Sequence, residues 1–225
     1  MILCTVALVL AQSVDDVVAR AIKARGGIER IKHEQTQRLT GRISLPAGSG
    51  PLLVEMKRPG MMREEVTLNG KSQIRTTDGT VGWGVGTLRE ASTPQQVDAQ
   101  ELHNLAASAD FEGPLVDYKE KGNRIELAGK EKVEKRMAYK LVISMKNGEN
   151  RIDFIDSKTY LELKWQGRVG DNVFESYFRD YRRVKGLIYA FEIDSGMLGQ
   201  PANQKIILEK VDVNPPLDDA RFQKP

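Results

Sequence analysis

Apolar and polar positions alternate through most of this chain, in short runs separated by turn residues. Tyr139, Leu141, Ile143 and Met145 alternate with polar or smaller partners, and Leu187, Tyr189, Phe191 and Ile193 do the same. Leu161, Leu163 and Trp165 share one predicted face, opposite Tyr160, Glu162 and Lys164. A period of two marks strands with one face buried. Between Lys57 and Val85 the chain reads KRPGMMREEVTL, Asn69-Gly70, KSQIRT, Asp78-Gly79, TVGWGV. Both dipeptides predict two-residue hairpin turns, which need positive φ at their central positions. Asn147-Gly148, Asp156-Ser157-Lys158 and Gly170-Asp171 punctuate the second half similarly, while a loose loop from Pro46 to Pro51 separates the Leu39–Leu45 and Leu52–Lys57 strands. The count is about ten or eleven strands, and a single twisted sheet of that size curls on itself.

Two stretches break the alternation. Val14, Val17, Val18, Ala21 and Ile22 recur at helical spacing behind Ser13, a good N-cap, with Asp15 and Asp16 against the helix dipole. Gly26-Gly27 interrupts this helix, and Ile28 with Ile31 continues a shorter turn. Between Ser92 and Asp110, Val97, Leu102, Leu105 and Ala106 predict a second, weaker amphipathic helix with Pro94 in its first turn. Both helices need an apolar surface, and the concave face of a curled sheet offers one. The fold class is therefore mainly β (α+β): a single incomplete antiparallel barrel covered by an N-terminal helix and a short helical insertion.

Composition narrows the function classes. The 225 residues are 40% hydrophobic and 29% charged, with 34 basic against 31 acidic side chains and a net charge of +3. That balance argues against a nucleic-acid binder, which concentrates basic charge on one face. It leaves transient contact with a membrane surface open. Residues 1–11, MILCTVALVLA, form an uncharged run too short to span a bilayer as a helix. They suit the apolar core of a signal peptide cut before Gln12, although no basic segment precedes them; a buried N-terminal strand is the alternative. Residues 12–225 then form one exported domain. Cys4, the only cysteine, falls in the leader, so the mature chain would have no disulfide, thiolate metal site or cysteine nucleophile.

Catalytic patterns are missing from the sequence. His33 and His103 lie in different helical regions, without metal-ligand spacing, and each reads as a solvent-facing helix residue. Gly82-Trp83-Gly84-Val85-Gly86 resembles a dinucleotide loop only superficially, because no βαβ unit follows, and its glycines read as sites of bending or close packing. Glu64 and Glu65 are consecutive strand residues on opposite faces and would not act together. The Arg179, Arg182, Arg183 and Lys185 run, interleaved with Tyr177, Phe178 and Tyr181, reads as a solvated strand end. No cofactor or metal is indicated, and the protein is expected to hold a molecule without transforming it.

Several short motifs carry a resemblance. The amphipathic first helix ending in Arg25-Gly26-Gly27, the Lys57-Arg58-Pro59 segment and Thr77-Asp78-Gly79 before Trp83 resemble the LolA/LolB-type lipoprotein carriers, in particular the outer-membrane lipoprotein-sorting-like proteins. Asp110 to Leu115, and Pro216-Leu217-Asp218-Asp219 with Phe222, are similar to that set as well. The resemblance implies a periplasmic monomer whose half-open barrel receives lipoprotein acyl chains or another lipid. It would carry them from an inner-membrane donor toward an outer-membrane acceptor. It also implies that Arg58 bonds to the helical lid, an ordinary strand-end cation being the alternative. Met62 stands where the family has a cavity-facing aromatic. The expected interior comprises Met61, Met62, Val66, Leu68, Trp83, Leu141, Ile143, Leu163, Trp165, Tyr189 and Phe191, since each exposed methylene of an acyl chain costs about 0.8 kcal/mol in water. An envelope-stress sensor or protein-interaction module on the same fold is the alternative function.

Overall fold

The computed structural model describes residues 12–86 and 91–225. The leader predicted over residues 1–11, with Cys4, lies outside them. The chain begins with α1 (Val14–Ala24) and α2 (Ile28–His33), then β1 (Thr36–Leu45), β2 (Gly48–Lys57), β3 (Met61–Leu68), β4 (Lys71–Thr77), β5 (Gly82–Gly86) and β6 (Ala91–Gln96). After α3 (Ala99–Ala109) come β7 (Arg124–Val133), β8 (Arg136–Ser144), β9 (Asn150–Asp156), β10 (Glu162–Val169), β11 (Asn172–Val184), β12 (Leu187–Met197) and β13 (Gln204–Val213). A 3₁₀ turn, Asp219–Phe222, closes the chain.

The thirteen described strands form one antiparallel sheet in the order β6-β5-β4-β3-β2-β1-β13-β12-β11-β10-β9-β8-β7. Its margins, β6 and β7, do not pair with each other, so the sheet is an incomplete barrel. The segment that joins them contains α3.

Local chemistry sets the elements. Ser13 caps α1 through a reciprocal box with Asp16: the Asp16 amide donates to Ser13 Oγ at 3.1 Å and the Ser13 amide to Asp16 Oδ2 at 3.4 Å. Asn69 and Gly70 have φ of 50° and 76°, as a tight primed turn requires. The second turn differs from the two-residue expectation. Residues 78–81 form a longer loop in which Asp78 Oδ1 accepts from the amides of Thr80 and Val81, both at 2.9 Å.

Two further expectations are corrected. The proposed Pro46–Pro51 loop is only Pro46-Ala47, and Gly48, Gly50 and Pro51 pair with β1. Gly50 is required there because a Cβ would stand 1.7 Å from the Thr67 carbonyl. Pro94 lies in β6, the edge strand, where its missing amide is tolerated, and Asp98 instead caps α3 by accepting from the Glu101 amide at 2.8 Å.

Helices divide the concave face. Val17, Val18 and Ala21 of α1 bury against Leu141, Ile143 and Ile155 of β8 and β9. Ile31 of α2 packs with Leu187, Phe191, Leu208, Val211 and Val213. Leu105 and Ala109 of α3, with Val97, cover Leu52, Val54, Met56, Met62, Val66 and Leu68. Gly82 allows this approach, since a Cβ there would lie 2.4 Å from Val97 Cγ2. A fourth cluster, Val133, Ala138, Phe154 and Leu163, packs separately on β7 to β10.

Candidate functional site

The helices do not fill the concave face. A cavity of about 730 Å³ remains, lined from α1, α3 and strands on both halves of the sheet. That size falls in the range of small-molecule sites. Leu39, Met62, Leu105, Phe111, Leu115, Met145, Ile155, Phe178, Ile193 and Leu208 supply apolar wall, and no helix among the described residues is long and apolar enough to cross a membrane.

The wall also carries charge. Arg151 of β9 bonds to Asp153 on the same strand and to Glu162 of β10 at 2.6 Å. Its guanidinium lies over the Trp165 ring, 5.1 Å from the centroid. Burial raises the Glu162 carboxyl, the neighbouring Asp153 charge adds to the effect, and Arg151 offsets it only partly, leaving the group pushed up to about 7. Burial alone would lower Arg151, but the two carboxylates outweigh it and hold the guanidinium above its ordinary range. Tyr181 donates to the Glu162 carbonyl, and burial raises its phenol, helped by the Glu162 charge.

Most other charged groups on the wall are paired, while Arg168 bonds to the Asp171 carbonyl at 3.3 Å. Arg75 bonds to Glu64 at 2.5 Å, and His103 Nε2 meets Glu149 Oε1 at 2.7 Å. His103 therefore faces the cavity in a pair, contrary to the solvent-facing expectation; His33 is exposed. Nearby, Tyr189 donates to Glu34 Oε1 at 2.5 Å and Gln37 donates to the same oxygen at 3.1 Å. Burial nevertheless keeps the Glu34 carboxyl raised. Among the described residues, no group of three or more His, Cys, Asp or Glu side chains has the geometry to hold a metal ion.

Two arginines clasp the helical cover. Arg58 sits in the turn between β2 and β3, donating to the carbonyl of Glu34 at 2.7 Å and of Ile31 at 3.1 Å. These lie at the carbonyl end of α2, where a cation complements the dipole. The same side chain pairs with Glu112 at 2.7 Å and lies 4.7 Å from the Phe111 ring centroid. Arg25, at the end of α1, donates to the Glu112 carbonyl at 2.5 Å and to the Phe111 carbonyl at 2.9 Å. The Phe111-Glu112 segment after α3 is thus held from two sides.

The eleven residues expected at the interior separate. Met62, Trp165 and Tyr189 line the cavity. Val66 and Leu68 pack under α3, Leu141 and Ile143 under α1, and Phe191 with α2. Met61 and Trp83 are half-buried, the Trp83 ring lying under Lys224. Leu163 shows the clearest departure. The pairing of β9 with β10 shifts register between Glu162 and Lys164, so Glu162 joins Trp165 on the cavity wall and Leu163 turns to Phe154. Glu64 lines the cavity while Glu65 bonds to Arg63 outside it, as opposite-facing neighbours should. The basic run on β11 is engaged: Arg179 pairs with Glu134 and Asp194, and Arg182 with Asp180.

Sequence reasoning passed over Arg151, Asp153 and Glu162. A signal existed, because Arg151, Asp153 and Ile155 alternate along β9 and share one face. Alternating charges ahead of a buried isoleucine mark a strand whose inward face is partly polar.

The folded chain is similar to several solved structures. It superposes on a DUF1329 family protein from Desulfovibrio piger with a TM-score of 0.63 and 14% identity, covering 95% of this chain and 98% of that one. A LolA superfamily protein from Nitrosomonas europaea gives 0.61 and 13%, with 95% and 99% covered. A putative outer membrane lipoprotein-sorting protein domain from Vibrio parahaemolyticus gives 0.57 and 12%, with 92% and 94% covered. No protein-family model and no curated protein matches the chain. At such identities the likeness is one of fold, and this chain has the fold of the LolA-like half-barrels.

Proposed function

We propose that the protein is a periplasmic carrier that holds a lipoprotein acyl chain or another lipid in its cavity for transfer between membranes, without catalysis. The observation that carries this reading is the space of about 730 Å³ left between a curled sheet and the two amphipathic helices α1 and α3. An acyl chain removed from a membrane needs dry surface, and Leu39, Met62, Phe178 and Ile193 provide it from separate strands. Arg58 and Arg25 act as the clasp on the cover, because each ties a helix end to the segment following α3. Opening the cover exchanges these bonds for water and gives the ligand a path. An inner-membrane donor and an outer-membrane acceptor would supply and receive it.

The test is uptake of an acylated ligand by the full chain secreted from a bacterial host. Extracted lipid is identified by mass spectrometry, and binding of a fluorescent fatty acyl probe is titrated. One acyl ligand per chain is expected, and Ala190→Trp, which narrows the cavity from β12, should weaken uptake while leaving the fold intact by circular dichroism. A wild-type chain that extracts no lipid and takes up no probe would defeat the reading.

A further inference from the structure

Resting on the carrier reading, we propose that the Glu162 wall of the cavity receives the ammonium head of a cationic amphiphile. Glu162 and Asp153 share one guanidinium, that of Arg151, so two carboxylates meet a single cation in direct contact. Arg151 bonds to Glu162 Oε1; the other oxygen of that carboxylate has no donor among the described residues. The Glu162 side chain keeps 26% of its surface accessible while it lines the cavity. It therefore offers an acceptor to whatever enters.

Aromatic rings stand beside the carboxylates. Trp165 is the cross-strand partner of Asp153, and Tyr181 bonds to the Glu162 backbone. Carboxylates next to aromatic faces favour ammonium groups by charge and by the ring quadrupole. An anionic head placed there would meet two like charges in a poorly hydrated space.

The charged and titratable groups facing Glu162 are Arg151 and Asp153 from β9, Arg25 from the end of α1 and Tyr181 from β11. Arg25 favours the ionised carboxylate through its field, and two of its donors are engaged by the Glu112 and Phe111 carbonyls. His103 and Glu149 line the same cavity as a separate pair. Loss of the Glu162 proton strengthens the attraction for a cation, so binding tightens as pH rises through the neutral range.

Calorimetric titration of the full chain with dodecyltrimethylammonium, laurate and monolaurin, each below its micelle concentration, tests the proposal. At pH 8 the ammonium compound should bind about tenfold more tightly than the neutral ester, and laurate more weakly than either. The advantage should shrink at pH 5.5, also in His103→Asn, which removes the imidazole of the wall. Glu162→Gln should erase it at pH 8, bringing the ammonium compound to the affinity of monolaurin for the same variant. Laurate binding as tightly as the ammonium compound, or a preference that survives Glu162→Gln, overturns the proposal. Should Glu162→Gln fail to fold, an ammonium advantage that does not change with pH in the His103→Asn chain overturns it equally. Equal binding of all three ligands defeats the charge preference alone, whereas binding of none defeats the carrier reading with it.

Discussion

Arg58 and Glu112 meet at 2.7 Å and join the β2–β3 turn to the segment after α3. Because Arg58 also holds the carbonyls of Ile31 and Glu34, its removal frees the end of α2 while Arg25 still holds that segment. Arg58→Ala should lower the unfolding free energy by about 2 kcal/mol, measured in urea. Hydrogen exchange should show faster exchange at α2 with β8 and β9 unaffected. Unchanged protection of α2 would mean that the arginine does not restrain it.

The Glu162 carboxyl makes a pH signature. Its folded value of about 7 lies above the ordinary 4.5, so the folded state holds the proton over that interval while the unfolded state releases it. Stability therefore falls as pH rises from about 4.5 to 7 and is lowest, on this account, above it. Glu34, raised by burial, acts in the same direction. The measurement is thus the difference between wild type and Glu162→Gln. The variant should be the more stable protein at pH 8, with the difference vanishing near pH 4. A variant less stable at pH 8 would show that the Arg151 bond outweighs burial.

The chain's end is a structural clamp. Phe222 is fully buried, and Arg221 bonds to Glu55, which is also fully buried and paired with Arg38 at 2.7 Å. Phe222→Ala should cost about 3–5 kcal/mol. Arg221→Ala should cost less, about 1–3 kcal/mol, because Arg38 still neutralises Glu55. Guanidinium unfolding of both variants checks the order; a larger loss for Arg221→Ala would make the ion pair the main fastening.

Leu163 and Trp165 give a paired test of the register shift in β10. Leu163→Ala should destabilise by about 2–4 kcal/mol through the Phe154 cluster and leave acyl-probe uptake unchanged. Trp165→Ala should weaken uptake, because its ring lines the cavity beside Arg151. Equal effects on uptake would place both side chains on one wall.

Much of the architecture was legible because punctuation and alternation are local. Asn69-Gly70 and the Ser13 box depend on neighbours within a few residues, and the apolar faces of α1 and β8 follow from spacing. Errors arose where a local pattern meets a distant constraint. Gly50 reads as loop until the Thr67 carbonyl is known to press against it, and Pro94 reads as helix until β6 is known to be an edge. The cavity was harder still, since alternation distinguishes inward from outward without telling wall from filled core. Leu141 and Ile143 are covered by α1, whereas Met62 and Tyr189 border open space. The charged wall depends on a one-residue slip at Leu163 that the residues themselves do not announce.

Strand pairing runs continuously from one margin of the sheet to the other and stops there. Parting β6 from β7 therefore breaks no ladder hydrogen bond; it loads the side-chain bonds that fasten the α3 segment across the seam, Arg58 to Glu112 and His103 to Glu149 among them. Widening of the interior would thus be resisted by side-chain bonds and packing across the seam, not by the strand ladder. A closed cylinder of equal strand number would have to sacrifice a whole row of amide bonds for the same dilation.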